Sequence, residues 1–167
     1  MQPRSAPMSR VFIEGEVEGV VIREMRKFKD ERGWLIELFR QDELGAEFYP
    51  QMAYISSTQP GITRGPHEHL DQADLFCFLG PSNFMLRMWD NRESSPTFNR
   101  VFTVIGGEEN PLSVLVPAGV VHAYRNVGTI DGIVINCPNR LYMGPGRREE
   151  VDEIRHEDDP ETVFRMD

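Results

Sequence analysis

Short apolar segments, separated by glycine, proline, asparagine and aspartate, dominate the chain from residue 19 to residue 138. They are rich in β-branched and aromatic residues, which is typical of strands in half-buried sheets. No long helical pattern separates them, so the spacing favours two facing sheets over a sheet with crossover helices. The predicted strands are GVVIREM, GWLIELFR, QMAYISST, DLFCFLG, FMLRMWD, RVFTVIG, LSVLVP, VVHAYRNV and GIVINC.

Helical periodicity is confined to two charged stretches, residues 41–49 and residues 147–159. The second stretch fits an irregular acidic tail equally well. We therefore expect an all-β sandwich or jelly roll with short peripheral helices. A chain of 167 residues, 40% of them hydrophobic, has room for one core. We predict a flexible tail over residues 1–10 and a single domain over residues 11–167.

Charge and composition exclude some partners. The net charge of -9 argues against nucleic acid, so an anionic ligand needs a few placed arginines. The chain has no apolar run of membrane-spanning length, and its first residues lack the apolar core of a signal peptide. Cys77 and Cys137 lie inside apolar segments, which favours two buried thiols and a cytoplasmic protein.

Three of the four histidines form two local patterns. His67 and His69 are two residues apart, so a strand would present both on one face, and Asp74 follows after a short turn. In the second pattern, a Pro-Ala-Gly turn precedes His122. Three imidazoles and one carboxylate form a common ligand set for divalent Zn, Fe, Mn, Co or Ni. The spacing predicts a metal site made of His67, His69, Asp74 and His122.

The two patterns resemble the two cupin motifs, G-x5-H-x-H-x4-E and P-x-G-x2-H-x3-N. GITRGPHEHLDQAD, residues 61–74, keeps the first spacing with aspartate in place of glutamate. PAGVVHAYRN, residues 117–126, matches the second motif. This resemblance implies a cupin-type double-stranded β-helix.

A longer stretch, from about residue 17 to residue 161, resembles the dTDP-4-dehydrorhamnose 3,5-epimerase family. The landmarks are GVVIREMRKFKDERGWLIELFR, GITRGPH, DNRESSPTFN, VPAGVVHAY and EDDP, in this order. The resemblance implies an isomerase acting on a nucleotide-linked 4-keto-6-deoxysugar. A ketone at C4 acidifies the protons at C3 and C5, so a base can remove one of them when the enolate is stabilised.

The resemblance also assigns roles to residues. It implies that His67, in the R-G-x-H motif, is the base and that Asp159 orients it. Further positions fall on the nucleotide site, which in the family is completed by a segment of the partner subunit in a homodimer. The implied diphosphate contacts are Arg64, Arg32 and Arg92, and the implied contacts near the nucleotide base are Phe28, Trp34 and Glu37.

Three positions depart from the family pattern. The family's lysine becomes Asp74, the glutamine after its histidine becomes His69, and its proton-donating tyrosine becomes Ile135. Tyr124 is the first candidate to replace the tyrosine, because it lies on the same strand face as His122, and Tyr142 and Tyr54 are the alternatives. The first two changes supply metal ligands, so a cation could polarise the substrate in place of the lysine. However, one nitrogen of His67 cannot be both ligand and base.

The sequence thus leaves three hypotheses open. The first is a sugar-nucleotide epimerase with His67 at its centre, and the family landmarks favour it. The second is a metal-dependent cupin of another class, an isomerase or dioxygenase on a small oxygenated substrate, which explains His69 and Asp74. The third is a non-catalytic cupin that binds a sugar nucleotide, since fold alone does not fix function.

Overall fold

The computed structural model describes residues 10–167, so most of the predicted N-terminal tail lies outside the described residues. Arg10, the last residue of that tail, donates hydrogen bonds to the side chains of Asn99 and Asn91. Thirteen strands form in the described part of the chain. They are β1 (Ile13–Glu14), β2 (Val21–Glu24), β3 (Lys27–Asp30), β4 (Gly33–Ile36), β5 (Tyr54–Thr58), β6 (Thr63–Glu68), β7 (Asp74–Phe78), β8 (Asn83–Asp90), β9 (Arg100–Gly107), β10 (Leu112–Val116), β11 (Val120–Asn126), β12 (Gly132–Asn136) and β13 (Ile154–Arg155).

Two large sheets and one ribbon account for all of these strands. The six-stranded sheet has the order β1-β9-β8-β11-β6-β13, and the five-stranded sheet has the order β2-β10-β7-β12-β5. Strands β3 and β4 form a separate two-stranded ribbon. The jelly roll expected from the sequence is confirmed, and all nine predicted segments contain a strand.

The core lies between the two large sheets. Phe84, Leu86 and Met88 alternate along β8 and are at most 1% exposed, and they pack against Phe76 and Phe78 of β7. The opposite faces are also covered, because Trp89 packs with Phe164 near the C-terminus. Burial of these side chains on both faces holds the sheets in fixed register.

The two stretches with helical periodicity form no α-helix, and the short peripheral helices of the described residues are 3-10 helices at Pro145–Arg147 and His156–Asp158. Residues 41–49 form successive turns, in which Leu44 bonds to the carbonyl of Arg40 and a new turn begins at Gly45. Within residues 147–159 the chain instead forms β13 and a 3-10 turn over His156–Asp158. That segment adds a strand to the edge of β6, and backbone pairing with β6 replaces helical hydrogen bonds.

Two further observations bear on the sequence expectations. Cys77 and Cys137 are free and buried, as predicted. In residues 10–167 no helix is long and apolar enough to cross a membrane.

Candidate active site

A cavity of about 390 Å³ opens between the two large sheets. Strands β5, β6 and β11 supply most of its wall, and the segment around β13 closes one side. The lining residues are Tyr54, Ser56, Thr63, Arg64, Gly65, His67, His69, Phe76, Tyr124, Glu153, Arg155 and Glu157. A larger cavity of about 850 Å³, lined by Met52, Leu141 and Tyr142 among others, shares Tyr54, His69 and Glu153 with it.

Close packing of β6 on β11 brings the two histidine motifs together. His67 and His122 are register partners in this antiparallel pair. Gly65 permits the approach: it has a φ of 85°, and a Cβ there would lie 2.6 Å from the carbonyl oxygen of His122. A side chain at this position would therefore push the two motif strands apart.

The three motif histidines converge as the sequence predicted. One nitrogen from each ring of His67, His69 and His122 lies within 4.8 Å of the others. The rings of His67 and His122 meet edge to face, with their centroids 4.6 Å apart. His122 is 1% exposed and His69 is 8% exposed.

Asp74, at the start of β7, reaches the same point from the facing sheet. Its Oδ2 lies 3.0 Å from Nε2 of His69 and 3.4 Å from Nε2 of His122. Its Oδ1 accepts hydrogen bonds from the side-chain amides of Gln72 and Asn136. Burial opposes the charged form of this carboxyl, but the two imidazoles outweigh it and lower its pKa.

Backbone carbonyls fix the orientation of two imidazoles. Nδ1 of His122 donates to the carbonyl oxygen of Val120 at 3.0 Å, and Nδ1 of His69 contacts the carbonyl of Asp152. Nε2 of both rings therefore points to Asp74. Burial disfavours a charged His69, but its hydrogen bond with Asp74 raises the pKa of His69 to about 9. Nε2 of His122 is buried and has no hydrogen-bond partner.

Comparison with known proteins identifies the family. The family model for dTDP-4-dehydrorhamnose 3,5-epimerase matches residues 14–155. A probable low-salt glycan biosynthesis epimerase of Haloferax volcanii is 35% identical over 128 residues, which are 75% of this chain and 81% of the relative. A spore coat polysaccharide biosynthesis protein of Bacillus subtilis is 32% identical over 88% of this chain and 93% of its own length.

The chain belongs to the dTDP-4-dehydrorhamnose 3,5-epimerase family. A solved structure supports the same conclusion: the dTDP sugar isomerase of Desulfovibrio desulfuricans is 25% identical, with a TM-score of 0.71. The matched region covers 83% of this chain and 84% of that structure. Membership places the chain among sugar epimerases, which are isomerases.

His67 occupies the epimerase family's R-G-x-H position, and its surroundings differ from the sequence expectation. Its Nδ1 lies 3.7 Å from Glu157 and 3.9 Å from Glu153. Asp159, expected to orient it, is exposed, and its carboxylate accepts a hydrogen bond from the backbone of Glu161. The assignment of Asp159 is wrong because pairing of β13 with β6 brings the two glutamates, and not Asp159, to the imidazole.

Burial, reinforced by the neighbouring rings of His122 and His69, lowers the pKa of His67. The ring is therefore neutral at neutral pH. Its Nδ1 is buried without a hydrogen-bond partner, while 17% of the side chain is exposed. Nδ1 is therefore not part of the ring surface that is exposed to the cavity.

Two tyrosines line the cavity, and neither occupies the epimerase family's tyrosine position. The hydroxyl of Tyr124 bonds to Ser56 at 2.9 Å, and its ring is 5% exposed. The hydroxyl of Tyr54 accepts a hydrogen bond from Asn136 at 2.9 Å, and 44% of the residue is exposed. Ile135 packs on the outer face of its sheet, so the neighbouring Asn136 faces inward, where it is buried and donates to Asp74.

The arginines assigned to the diphosphate occupy three different environments. Arg64 lines the cavity and is held by hydrogen bonds to Thr58 and to the carbonyl of Ser57. Arg92 does not line it, because the buried Asp90 binds its guanidinium at 2.8 Å. Arg32 lies at the tip of the exposed ribbon and pairs with Asp30.

Arg155 is a second arginine of the cavity that the sequence analysis missed. It follows an acidic run, which had suggested a solvated tail. Pairing of its strand with β6, opposite His67, is what brings it to the cavity. No local pattern in the sequence predicts this long-range contact.

The ribbon of β3 and β4 presents the residues assigned to the nucleotide base. Phe28 is 45% exposed and Trp34 is 52% exposed, and each ring is covered by a cation, from Arg26 and Lys27 respectively. Glu37 follows the ribbon and pairs with Arg40. In the described residues none of these three lines the histidine cavity of its own chain.

Gly65→Ala tests the close approach of β6 to β11. We expect Gly61→Ala to cost about 1 kcal/mol of unfolding free energy, because its φ of 74° is strained for alanine but nothing lies within 4 Å of its Cβ. Gly65→Ala should cost about 2 kcal/mol more, because its Cβ also meets the carbonyl of His122. Urea unfolding measures both, and equal costs would contradict the close approach.

Proposed function

We propose that the protein is an epimerase of a dTDP-linked 4-keto-6-deoxysugar. The observation that carries the proposal is the neutral, cavity-facing imidazole of His67 at the family's R-G-x-H position, beside two carboxylates. The family match over residues 14–155 supports the substrate class. This match favours the epimerase over a cupin of another reaction class and over a non-catalytic binding protein.

The reaction begins at His67. The C4 ketone acidifies the neighbouring C–H bond, and the imidazole takes that proton while the electron pair moves toward the ketone oxygen as an enolate. The imidazolium that results lies within 4 Å of Glu153 and Glu157 through its other nitrogen, and both carboxylates also pair with Arg155. These carboxylates therefore act as positioning residues that stabilise the protonated base.

The second half of the reaction needs a proton donor on the opposite face of the sugar ring. Tyr54 is our choice over Tyr124, which the sequence had favoured. It lies on β5 of the facing sheet, and its hydroxyl neighbours Asn136 on the strand where the family carries its tyrosine. Burial raises the pKa of Tyr54 to about 12, so the hydroxyl keeps its proton at neutral pH. Tyr124 is wedged among Phe76, Phe78 and Phe84.

Arginines supply the charge for the diphosphate. The chain carries a net charge of -9, so phosphate binding depends on local cations. Arg64 lines the cavity and is the candidate within one chain, because the guanidinium of Arg155, which also lines it, pairs with Glu153, Glu157 and Asp158. A guanidinium binds phosphate oxygens in pairs, which fits a role in holding the nucleotide end of the substrate.

A homodimer completes the site in this proposal. The exposed rings of Phe28 and Trp34 lie on a ribbon that projects as a separate sheet, which suits insertion into the partner's cavity near the nucleotide base. Two free buried thiols are typical of a reducing compartment, and we place the enzyme in the cytoplasm.

Solvent exchange tests the base. In D2O, the wild-type protein should incorporate deuterium into dTDP-4-keto-6-deoxyglucose, and mass spectrometry follows the mass gain. His67→Asn should slow this at least about 100-fold, because the general base is lost. His156→Asn is the control, since His156 bonds to Glu68 and does not line the cavity. Equal exchange by His67→Asn and wild type would refute the proposal.

Removing each tyrosine hydroxyl distinguishes the two donors. Tyr54→Phe should still exchange substrate protons with solvent but should lose formation of the epimerised product, because the second proton has no source. Tyr124→Phe should form the product at more than about half the wild-type rate, since one buried hydrogen bond to Ser56 is lost. NMR of the sugar protons measures both. The reverse result would return the role to Tyr124.

Mixing two inactive variants tests the ribbon. Trp34→Ala should weaken substrate binding at the partner's site, and His67→Asn removes the base of its own site. If each site combines one cavity with the partner's ribbon, a refolded equal mixture should regain about a quarter of wild-type exchange, because half the dimers are mixed and each has one intact site. Failure of the mixture to exceed either variant alone would contradict the shared site.

A further inference from the structure

The deepest part of the histidine cluster has the dimensions of a coordination sphere. The Oδ2 atom of Asp74 lies 3.0 Å from Nε2 of His69 and 3.4 Å from Nε2 of His122. Ligand atoms about 2.1 Å from one metal ion are about 3.0 to 3.4 Å apart in octahedral and tetrahedral geometry. The carboxylate oxygen therefore already lies at the distance of a neighbouring ligand from each of the two imidazole nitrogens.

The direction of the rings adds an independent observation. Because Nδ1 of His122 donates to the carbonyl of Val120, its Nε2 faces the Asp74 carboxylate. That nitrogen is buried and makes no hydrogen bond, although the residue is only 1% exposed. A buried ring nitrogen without a partner is costly, and a cation bound between it and the carboxylate would satisfy it.

Neighbouring side chains hold the carboxylate in position. Gln72 and Asn136 donate to Oδ1 of Asp74 at 2.9 Å and 2.8 Å, which leaves Oδ2 for the two imidazoles. Hydrogen bonds to the outer atoms of ligands, including those from both Nδ1 atoms, are a regular feature of metal centres.

His67 has different contacts from His69, His122 and Asp74. In the described residues, no ring nitrogen of His67 lies within 4.0 Å of a carboxylate oxygen of Asp74. One of its nitrogens does lie within 4.8 Å of a nitrogen of His69 and of His122. Its Nδ1 is directed to Glu153 and Glu157. Its chemistry thus differs from that of the two inward-facing imidazoles.

We propose that His69, His122 and Asp74 hold one divalent transition-metal ion, and that His67 remains outside it as the base. Two histidines and one carboxylate with open positions form an established ligand set for such ions. The bound ion would supply positive charge beside the substrate at the position where the family carries a lysine. This role rests on the proposed function, whereas ion binding does not.

Metal stoichiometry tests the assignment without any substrate. The tag-free full chain is stripped with a chelator, reloaded with Zn²⁺ or Co²⁺, dialysed, and analysed by plasma mass spectrometry. We expect about one ion per chain in the wild type and in His67→Asn, and at least about a tenfold loss of affinity in His69→Ala and Asp74→Ala. The visible spectrum of the Co²⁺ form reports coordination independently of activity.

Asn136→Ala keeps every ligand but removes a hydrogen bond to Asp74, so it covers the case in which ligand variants misfold. It should weaken Zn²⁺ binding about tenfold. A reloaded wild type without metal, or loss of the ion in His67→Asn, would overturn the inference. If the metal-free protein still exchanges substrate protons at the wild-type rate, the epimerase proposal stands and the catalytic role of the ion falls.

Discussion

The buried carboxylate of Asp74 is the group on which the rest of the site depends. It lies between the two sheets at 1% exposure, and each of its oxygens has a separate set of partners. One oxygen is held by two amides, and the other lies close to two imidazoles from the facing sheet. A carboxylate buried this deeply is stable only if its charge is compensated, and the histidine motifs provide that compensation.

This arrangement separates two tasks that one histidine could not perform. His69 and His122 turn inward to the carboxylate because backbone carbonyls occupy their other nitrogens. His67 lines the cavity and is flanked by two glutamates. In the proposed mechanism, proton transfer and charge stabilisation thus fall to different residues of a single cavity.

The sequence predicted that the motif residues converge, because the H-x-H spacing and the turn before His122 are local patterns. The sequence did not predict strand β6, because a Gly-Pro pair interrupts the apolar alternation there. It also missed the contribution of β13, whose glutamates and arginine reach His67 only through pairing with β6. The expectation for Asp159 failed for the same reason, since a contact between residues 90 positions apart depends on tertiary pairing.

The sequence also did not show on which face of a sheet some residues lie. Ile135 stands at the position of the missing tyrosine, but the alternation along β12 turns that side chain to the outer cluster and Asn136 inward to Asp74. Tyr54, on the neighbouring strand, then supplies a hydroxyl beside Asn136. Likewise, Arg92 pairs with the buried Asp90, and spacing in the sequence alone does not reveal this ion pair.

A crystal structure of the Zn²⁺-loaded protein with dTDP, with anomalous data collected at the zinc edge, would test the central claim most directly. We predict one anomalous peak about 2.0 to 2.2 Å from Nε2 of His69, Nε2 of His122 and a carboxylate oxygen of Asp74, with His67 unbound and the diphosphate against Arg64. A zinc ion bonded to His67, or dTDP bound away from this cavity, would contradict the account.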